Sequence, residues 1–344
     1  YNFDDYSWVG EPSLQVKSSQ GCVRNCDFCD IKVQFGDYQF KDGLQLAEEM
    51  ITLQQRYQIN KFVLVDSLCN GSMKHFTQFI TRLSEHNTQS ARKIVWTGQY
   101  ICRDKNYGND YYQKLKLSGA EGLTIGAESG SNHVLESMDK KTTVEALFNE
   151  LEQFKQHSIT AFLLTFSGHW SERTEDFKDH CRMLIKLVPY AKQGTVSGIS
   201  LGSSFNLSHG TPSWNNDELI KNSKYYLHLW SAKSNPGNTL KVRMQRRLVL
   251  HKLAKLLKLP VTEESLWLQS EYDFLVDKTK DINEFFSKHA TTDSAIDDVD
   301  AFIADLFTPS TTTIKLTVES SSCNTDPDFL AVLNDFVIHA GPLT

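Results

Sequence analysis

Ser18-Ser19-Gln20-Gly21-Cys22-Val23-Arg24-Asn25-Cys26-Asp27-Phe28-Cys29-Asp30 sets three cysteines at C-x₃-C-x₂-C spacing, directly after a short alternating apolar run. Three thiolates within eight residues can converge on one inorganic centre. Iron–sulfur clusters are held by Cys thiolates, four as a rule, and the next cysteine along this chain is Cys69. A cubane bound here keeps one iron free of protein ligands and open to a small molecule. Structural zinc wants four ligands, normally in two close pairs, and the chain has neither a second C-x₂-C nor an H-x₃₋₅-H partner. Disulfides want an oxidising compartment and paired cysteines, whereas seven cysteines are an odd count in a chain of 344 residues. The spacing favours a cluster over zinc or disulfides.

With the aromatic Phe28 just before the third cysteine, this stretch resembles the signature of the radical SAM superfamily. The resemblance implies that Cys22, Cys26 and Cys29 bind a [4Fe–4S] cluster whose open iron chelates the amino and carboxylate groups of S-adenosylmethionine (SAM). It implies an enzyme in which an electron from the cluster splits SAM to methionine and a 5′-deoxyadenosyl radical. It also implies an external electron donor such as a flavodoxin or ferredoxin. The competing class is a non-catalytic iron–sulfur scaffold or sensor.

Working outward, short apolar runs alternate with amphipathic helical patterns, the mark of a parallel α/β fold. Strands are expected at 13–19, 61–66, 93–97, 122–127, 159–166 and 195–205. Helices are expected at 42–57, with Leu44, Ala47, Met50, Ile51 and Leu53 inward, from about Ser72, after Ser129-Gly130-Ser131, and after Ser171-Glu172-Arg173-Thr174. Six strand–helix units in succession predict a partial (β/α)6 TIM-like barrel. Such barrels put active sites at the carboxyl ends of their strands, where Asp66, Ser67, Arg103, Glu128, Ser129 and Arg173 fall. Each alone reads equally well as an N-cap or a loop salt bridge.

The order of these clusters resembles the radical SAM domain of proteins that carry a cobalamin-binding domain upstream. The residues are Asp66-Ser67 with Asn70 and Lys74, Trp96 with Arg103, Glu128-Ser129-Gly130-Ser131 followed by 138–145, and Gly168 with Glu172 and Thr174. The match spans about residues 13–215. It implies that Asp66 and Ser67 approach the amino-acid part of SAM. Glu128 and Ser129 approach its ribose or carboxylate, the Phe28 backbone and Gly168 its adenine, and Arg103 belongs to the same cofactor set. Two departures stand out: Gln20 where many relatives have Arg, and Ser167-Gly168-His169-Trp170-Ser171-Glu172-Arg173-Thr174 where they have a Gly-x-Pro-Gly-Glu-Thr turn. No D-x-H-x-x-G cobalamin element occurs, so cobalamin is implied only if an upstream domain exists. Tyr1 stands where an initiator Met would, and residues 1–12 read as a linker from such a domain.

Composition sets looser bounds. At 40% hydrophobic residues the chain can bury a sizeable core, here a barrel over 13–232 and a mostly helical α+β appendage over 233–344. The appendage holds helices at 239–258, 262–278 and 294–306 and strand-like runs at 311–318 and 336–339. No run of eighteen apolar residues spans a membrane, and no export signal opens the chain. Scattered Cys69, Cys102, Cys181 and Cys323 then suit a reducing cytoplasm as buried small hydrophobes.

Charge is uneven. Residues 261–344 have 16 Asp and Glu against 4 Lys, a net −12, so 1–260 carry +6 of the overall −6. The stretch 219–262 has ten basic residues and no acid. Either its basic helix docks on the acidic C-terminal helices or faces solvent, or it holds a nucleic acid or another phosphate-bearing partner. The acidic tail and the few aromatics interleaved for base stacking favour a small-molecule or peptide-like substrate over nucleic acid.

Overall fold

The computed structural model describes residues 11–202, 204–221 and 227–262 together with Glu284, so the expected elements beyond 262, most of the 1–12 linker and Cys323 lie outside the described residues. In chain order the first elements are β1 (Ser13–Val16), β2 (Ser19–Gln20), α1 (Ile31–Phe35), β3 (Gln39–Phe40), α2 (Gly43–Tyr57), β4 (Lys61–Leu64) and α3 (Met73–Gln89). Next come β5 (Val95–Thr97), β6 (Gln99–Tyr100), α4 (Asn109–Leu117), β7 (Leu123–Glu128), α5 (Asn132–Ser137), α6 (Val144–Gln156) and β8 (Ala161–Thr165). Last are α7 (Thr174–Lys192), β9 (Val196–Ser200), β10 (Leu219–Lys221), β11 (Trp230–Ala232) and α8 (Leu240–Leu256).

Two parallel sheets, β1-β4-β5 and β6-β7-β8-β9, meet across a single residue. The third expected strand breaks at Gly98 into β5 and β6, yet Trp96 bridges Ala120 and the Thr124 N–H donates to Gly98 O, so the ladder carries on. Six strand positions therefore follow in sequence order, each near its expected range and mostly shorter, as one open run of a TIM-like barrel. Beyond α8 the chain returns to the free edge. Ile199 N–H donates to Pro260 O at 2.8 Å and Thr262 N–H to Ile199 O at 3.1 Å, a parallel bridge that the sequence reading did not anticipate.

Helices cover the outer face because their apolar stripes meet the strands. In α2, the Asp42 side chain caps the Leu44 and Gln45 N–H groups, and Leu46, Ala47, Met50, Ile51 and Gln54 are buried. Leu44, expected inward, is 48% exposed: at this turn α2 meets α3 through the neighbouring Gly43, where a Cβ would lie 1.9 Å from His75 O. The main core is one large cluster built on Phe62, Phe76, Phe79, Trp96, Tyr100 and Phe154, with a smaller one around Phe205, Leu207, Leu219 and Trp230, and truncating Trp96 to Ala would cost about 3–5 kcal/mol. Trp96, read as part of a strand-end motif, lies in this core with its indole N–H on Ser118 O.

Helix α8 corrects the reading of the basic stretch. Leu240, Met244, Leu248 and Leu253 pack inward as expected, while Leu256 and Leu257 are only partly buried. Arg243, Arg246 and Arg247 face neither solvent nor a polyanion: they are 0%, 3% and 3% exposed. A guanidinium can be buried when carbonyls and aromatic faces take its donors and its charge. Arg243 donates to the carbonyls of Asn238, His228 and Trp230, and stacks 3.8 Å from the Trp230 ring centroid. A count of charges along the chain cannot see such partners.

Candidate functional site

The cysteine loop leaves β2 through Gly21, at φ +75°, where a Cβ would sit 2.9 Å from Gly36 O. Only glycine fits that approach. Cys26 is buried and Cys22 and Cys29 are half-buried, all three unbridged. Cys29 N–H donates to Cys26 O, and Arg24 N–H to Cys22 Sγ at 3.4 Å. Burial pushes the Cys26 thiol up to about 12, while Lys140 pulls the other way, and burial raises the Cys29 thiol as well. Such thiols ionise when a strong positive centre takes the thiolate charge. Among the described residues no three His, Cys, Asp or Glu side chains converge on a single metal ion. Three unbridged thiolates on one loop are the donor set a cubane takes, each thiolate on a different iron. Cys69, next along the chain, is buried in the main core.

The strand ends arrange polar atoms around this loop. After β4, Ser18 donates both its N–H, at 2.8 Å, and its hydroxyl to Asp66 Oδ2. The other oxygen, Asp66 Oδ1, is buried without a partner, and Ser67 is half-buried beside it. After β6, Arg103 Nη2 donates to Asn70 O at 2.7 Å and to Gly71 O at 3.2 Å, leaving Nη1 buried and unpartnered. Asn70 exchanges two hydrogen bonds with the Ile101 backbone, tying the two strand ends together. Arg24 Nε, Thr142 Oγ1 and Ser167 Oγ are likewise buried without partners. Nearly all buried polar groups in folded proteins are satisfied, so these orphans at strand ends and in the cysteine and 138–145 loops are open to a polar ligand.

At the end of β7 the register with β8 slips between Gly126 and Glu128, and Glu128 takes φ +58°. A non-glycine residue in that region is strained, and such strain gathers at functional sites. The bend directs Glu128 to Lys140, 2.6 Å away, each side chain 11% exposed. Burial alone would lower the Lys140 amine, but the Glu128 carboxylate and the Cys26 thiol turn the net shift upward. Lys140 also lies 5.9 Å from the Phe28 ring centroid, so one cation spans the cysteine loop and β7. Ser129 is buried, its hydroxyl accepting from Ser131 N–H.

Asp27, between two of the cysteines, is the second tie. Its carboxylate accepts from His169 Nε2 at 3.0 Å and Trp170 Nε1 at 2.8 Å. Burial works to raise this carboxyl, yet the His169 and Trp170 contacts outweigh it and hold it below the usual range. Gly168 has φ +80°, and Arg243 occupies the space beside it. Arg173 does not join the mouth. Its side chain is 62% exposed and pairs with Asp176 to cap α7. Lys74 is exposed on α3. The sequence reading missed Arg24, Asp27, Lys140 and His169 as site residues, although Arg24 and Asp27 stand inside the cysteine motif itself.

Residues 16–184 match the model of the radical SAM superfamily. An uncharacterized methyltransferase of Pyrococcus horikoshii is 25% identical over 176 residues, which are 50% of this chain and 37% of that protein. The anaerobic magnesium-protoporphyrin IX monomethyl ester cyclase of Rubrivivax gelatinosus is 21% identical over 165 residues, 48% of this chain and 29% of that protein. The chain thus spans 37% and 29% of these two relatives' length. Among solved structures, the cobalamin-dependent SAM radical enzyme OxsB, with aqua-cobalamin and SAM bound, shares the fold with a TM-score of 0.54 at 15% identity, covering 85% of this chain and 50% of that one. The radical SAM methyltransferase TsrM of Kitasatospora setae, with cobalamin and a [4Fe–4S] cluster bound, gives 0.51 at 15% identity, covering 64% of this chain and 40% of that one. A three-cysteine loop at the mouth of an open parallel barrel, and a family model matched from β1 into α7, agree: residues 16–184 form a radical SAM domain.

Proposed function

We propose that the chain is a radical SAM enzyme that reductively cleaves SAM and turns the resulting radical on a small or peptide-like substrate. The observation that carries this reading is the set of unpartnered polar atoms, Asp66 Oδ1, Arg103 Nη1, Arg24 Nε, Thr142 Oγ1 and Ser167 Oγ, beside a loop of three unbridged cysteines. When bound, the cluster supplies the electron and the open iron that SAM cleavage needs. The protein's own residues bind and orient. Asp66, with one oxygen engaged by Ser18, has the other free to accept from an ammonium, while the Arg103 guanidinium has a donor free for a carboxylate. These are the two ends of an amino acid. Glu128 is held by Lys140 in a strained backbone turn, in place to accept from ribose hydroxyls. The Phe28 backbone and the Gly168 loop form the adenine side.

The test is anaerobic reconstitution with iron and sulfide, followed by metal and sulfide analysis, EPR with and without SAM, and a 5′-deoxyadenosine assay. Near four irons per chain, lost in Cys22→Ala, Cys26→Ala and Cys29→Ala, with 5′-deoxyadenosine formed on reduction, is the expected result. A reduced, cluster-loaded protein that never cleaves SAM would end the reading, and an EPR signal indifferent to SAM would favour the non-catalytic scaffold. Nucleic acid is the weaker substrate class, since three of the ten basic residues proposed to hold it are buried in α8. Methyl transfer through cobalamin is the finer outcome suggested by the relatives' names. It requires a cobalamin site that residues 11–262 do not recognisably contain, and absorption changes on adding methylcobalamin to the full protein test it.

A further inference from the structure

The loop at 166–173, between β8 and α7, is held from two sides. On one side stands the cysteine loop, through the Asp27 contacts to His169 and Trp170. On the other stands the chain that follows the last barrel strand. Asn238 Nδ2 donates to His169 O at 2.7 Å, and Asn235 Nδ2 donates to Trp170 O at 3.1 Å and Glu172 O at 3.0 Å. Arg246 Nη1 reaches both Glu172 O, at 3.0 Å, and Glu172 Oε1, at 2.9 Å. Glu172 Oε1 accepts in turn from Gly168 N–H at 3.1 Å. The late segment also touches the cysteine loop directly, where Ser213 N–H donates to Asp27 O at 2.8 Å.

The contacts are buried: His169 is 0% exposed, Glu172 1% and Arg246 3%. An apolar seam runs beside them, in which Phe28, Phe166 and Trp170 pack against Phe205, Leu219 and Trp230. Buried ion pairs add little net stability for their desolvation, but breaking one is strongly felt, and their arrangement is specific. A buried hydrogen-bonded network rigidifies what it joins. This network joins the cysteine loop to the loop that replaces the Gly-x-Pro-Gly-Glu-Thr turn. Where proline would stiffen such a turn through its fixed φ, this chain has Trp170, fastened to Asp27 instead.

We propose that Ser213, Asn235, Asn238 and Arg246 form a clamp that sets the adenine side of the SAM site relative to the cluster. Arg246 fixes Glu172 and Gly168, the loop's His169 and Trp170 fix Asp27, and Asp27 fixes the cysteine loop. All are positioning residues and touch no reacting atom. The proposal rests on the radical SAM reading of the site, and it assigns the segment after the barrel to that site rather than to a separate surface.

The test uses the full chain, anaerobically reconstituted, as Asp27→Asn, Trp170→Phe, their double variant and Arg246→Met. The readouts are iron and sulfide content, SAM affinity by calorimetry, the EPR change on adding SAM, and amide hydrogen exchange of the 166–173 backbone. Clamping predicts full cluster content in Asp27→Asn and Trp170→Phe, with SAM binding about tenfold weaker, a smaller EPR change, and faster exchange across the loop. The double variant should be no worse than Asp27→Asn alone, because both break one contact. Arg246→Met should speed loop exchange while Arg246→Lys restores part of the protection; if Arg246→Met does not fold, the other two variants decide. SAM affinity within about twofold of the parent in both Asp27→Asn and Trp170→Phe, with loop protection intact, would overturn the clamp. A parent protein that takes up cluster but not SAM would instead bring down the underlying reading, and the clamp with it.

Discussion

Two buried ion pairs stand close to the cysteine loop, and they differ in what surrounds them. Glu128–Lys140 sits at the end of β7 with both side chains 11% exposed, on strained backbone, among polar atoms that lack partners. Glu172–Arg246 is 1% and 4% exposed at the side chain, and its carboxylate also accepts from Gly168 N–H. The first pair has open neighbours and reads as part of a binding site. The second is more deeply buried, with its carboxylate shared between Arg246 and the Gly168 N–H, and reads as framework. Exposure and backbone strain separate the two, where charge alone would not.

The largest expected effect comes from breaking the closed pair. Glu172→Ala leaves the Arg246 charge buried and uncompensated, which should cost about 3–5 kcal/mol in urea unfolding of the apoprotein. Replacing both residues by methionine should recover much of that loss, since a well-packed apolar pair avoids the desolvation penalty. Equal losses in the single and double variants would show that the pair is worth more than its packing.

Next comes a buried base with no acid beside it. His180 on α7 is 0% exposed, both ring nitrogens lack partners, and burial lowers it to about 4. The unfolded chain therefore binds this proton at a higher pH than the folded one. Stability is fully present above about pH 6.5 and declines as pH falls towards 4, by about 3 kcal/mol if this group acts alone. His180→Leu should flatten that part of the pH–stability curve, measured by thermal melts between pH 7 and 4. An unchanged slope would show that the carboxylates govern the acid limb.

Smaller is the effect at Gly168, where φ is +80° and a Cβ would meet Arg243 Cγ at 2.6 Å. Gly168→Ala should lower stability by about 1–3 kcal/mol through backbone strain and displacement of Arg243, and loosen the loop that Glu172 holds. Smallest in stability is Glu128→Gln at the open pair, because the amide keeps an oxygen to accept from Lys140. It should weaken SAM binding about tenfold, or about 1.4 kcal/mol, while iron content and melting temperature stay close to the parent. A large loss of stability with unchanged SAM affinity would exchange the roles assigned to the two pairs.

How far the sequence reaches differs between these regions for physical reasons. Six strand positions were legible because apolar runs of strand length leave a local pattern. The break at Gly98 and the returning edge at 260–262 were not, because both depend on which strands lie alongside. Asp66, Arg103 and Glu128 were legible as strand-end residues, yet Arg173, with the same local appearance, turned out to cap α7. Local sequence cannot tell a cap from a ligand-facing side chain, since both sit at the same kind of junction.

The chain by itself determined the cysteine motif, because three ligands within eight residues need no tertiary partner to be recognised. It determined the βα alternation for the same reason: periodicity is a property of neighbours along the chain. Only the tertiary structure decided that Lys140 lies against Glu128, that Asp27 meets His169 142 positions away, and that Arg243 of α8 turns inward to carbonyls and the Trp230 ring. Pairing between buried charges is set by desolvation, which forces each buried ion to find whatever partner the fold brings near. Sequence distance carries no record of that choice.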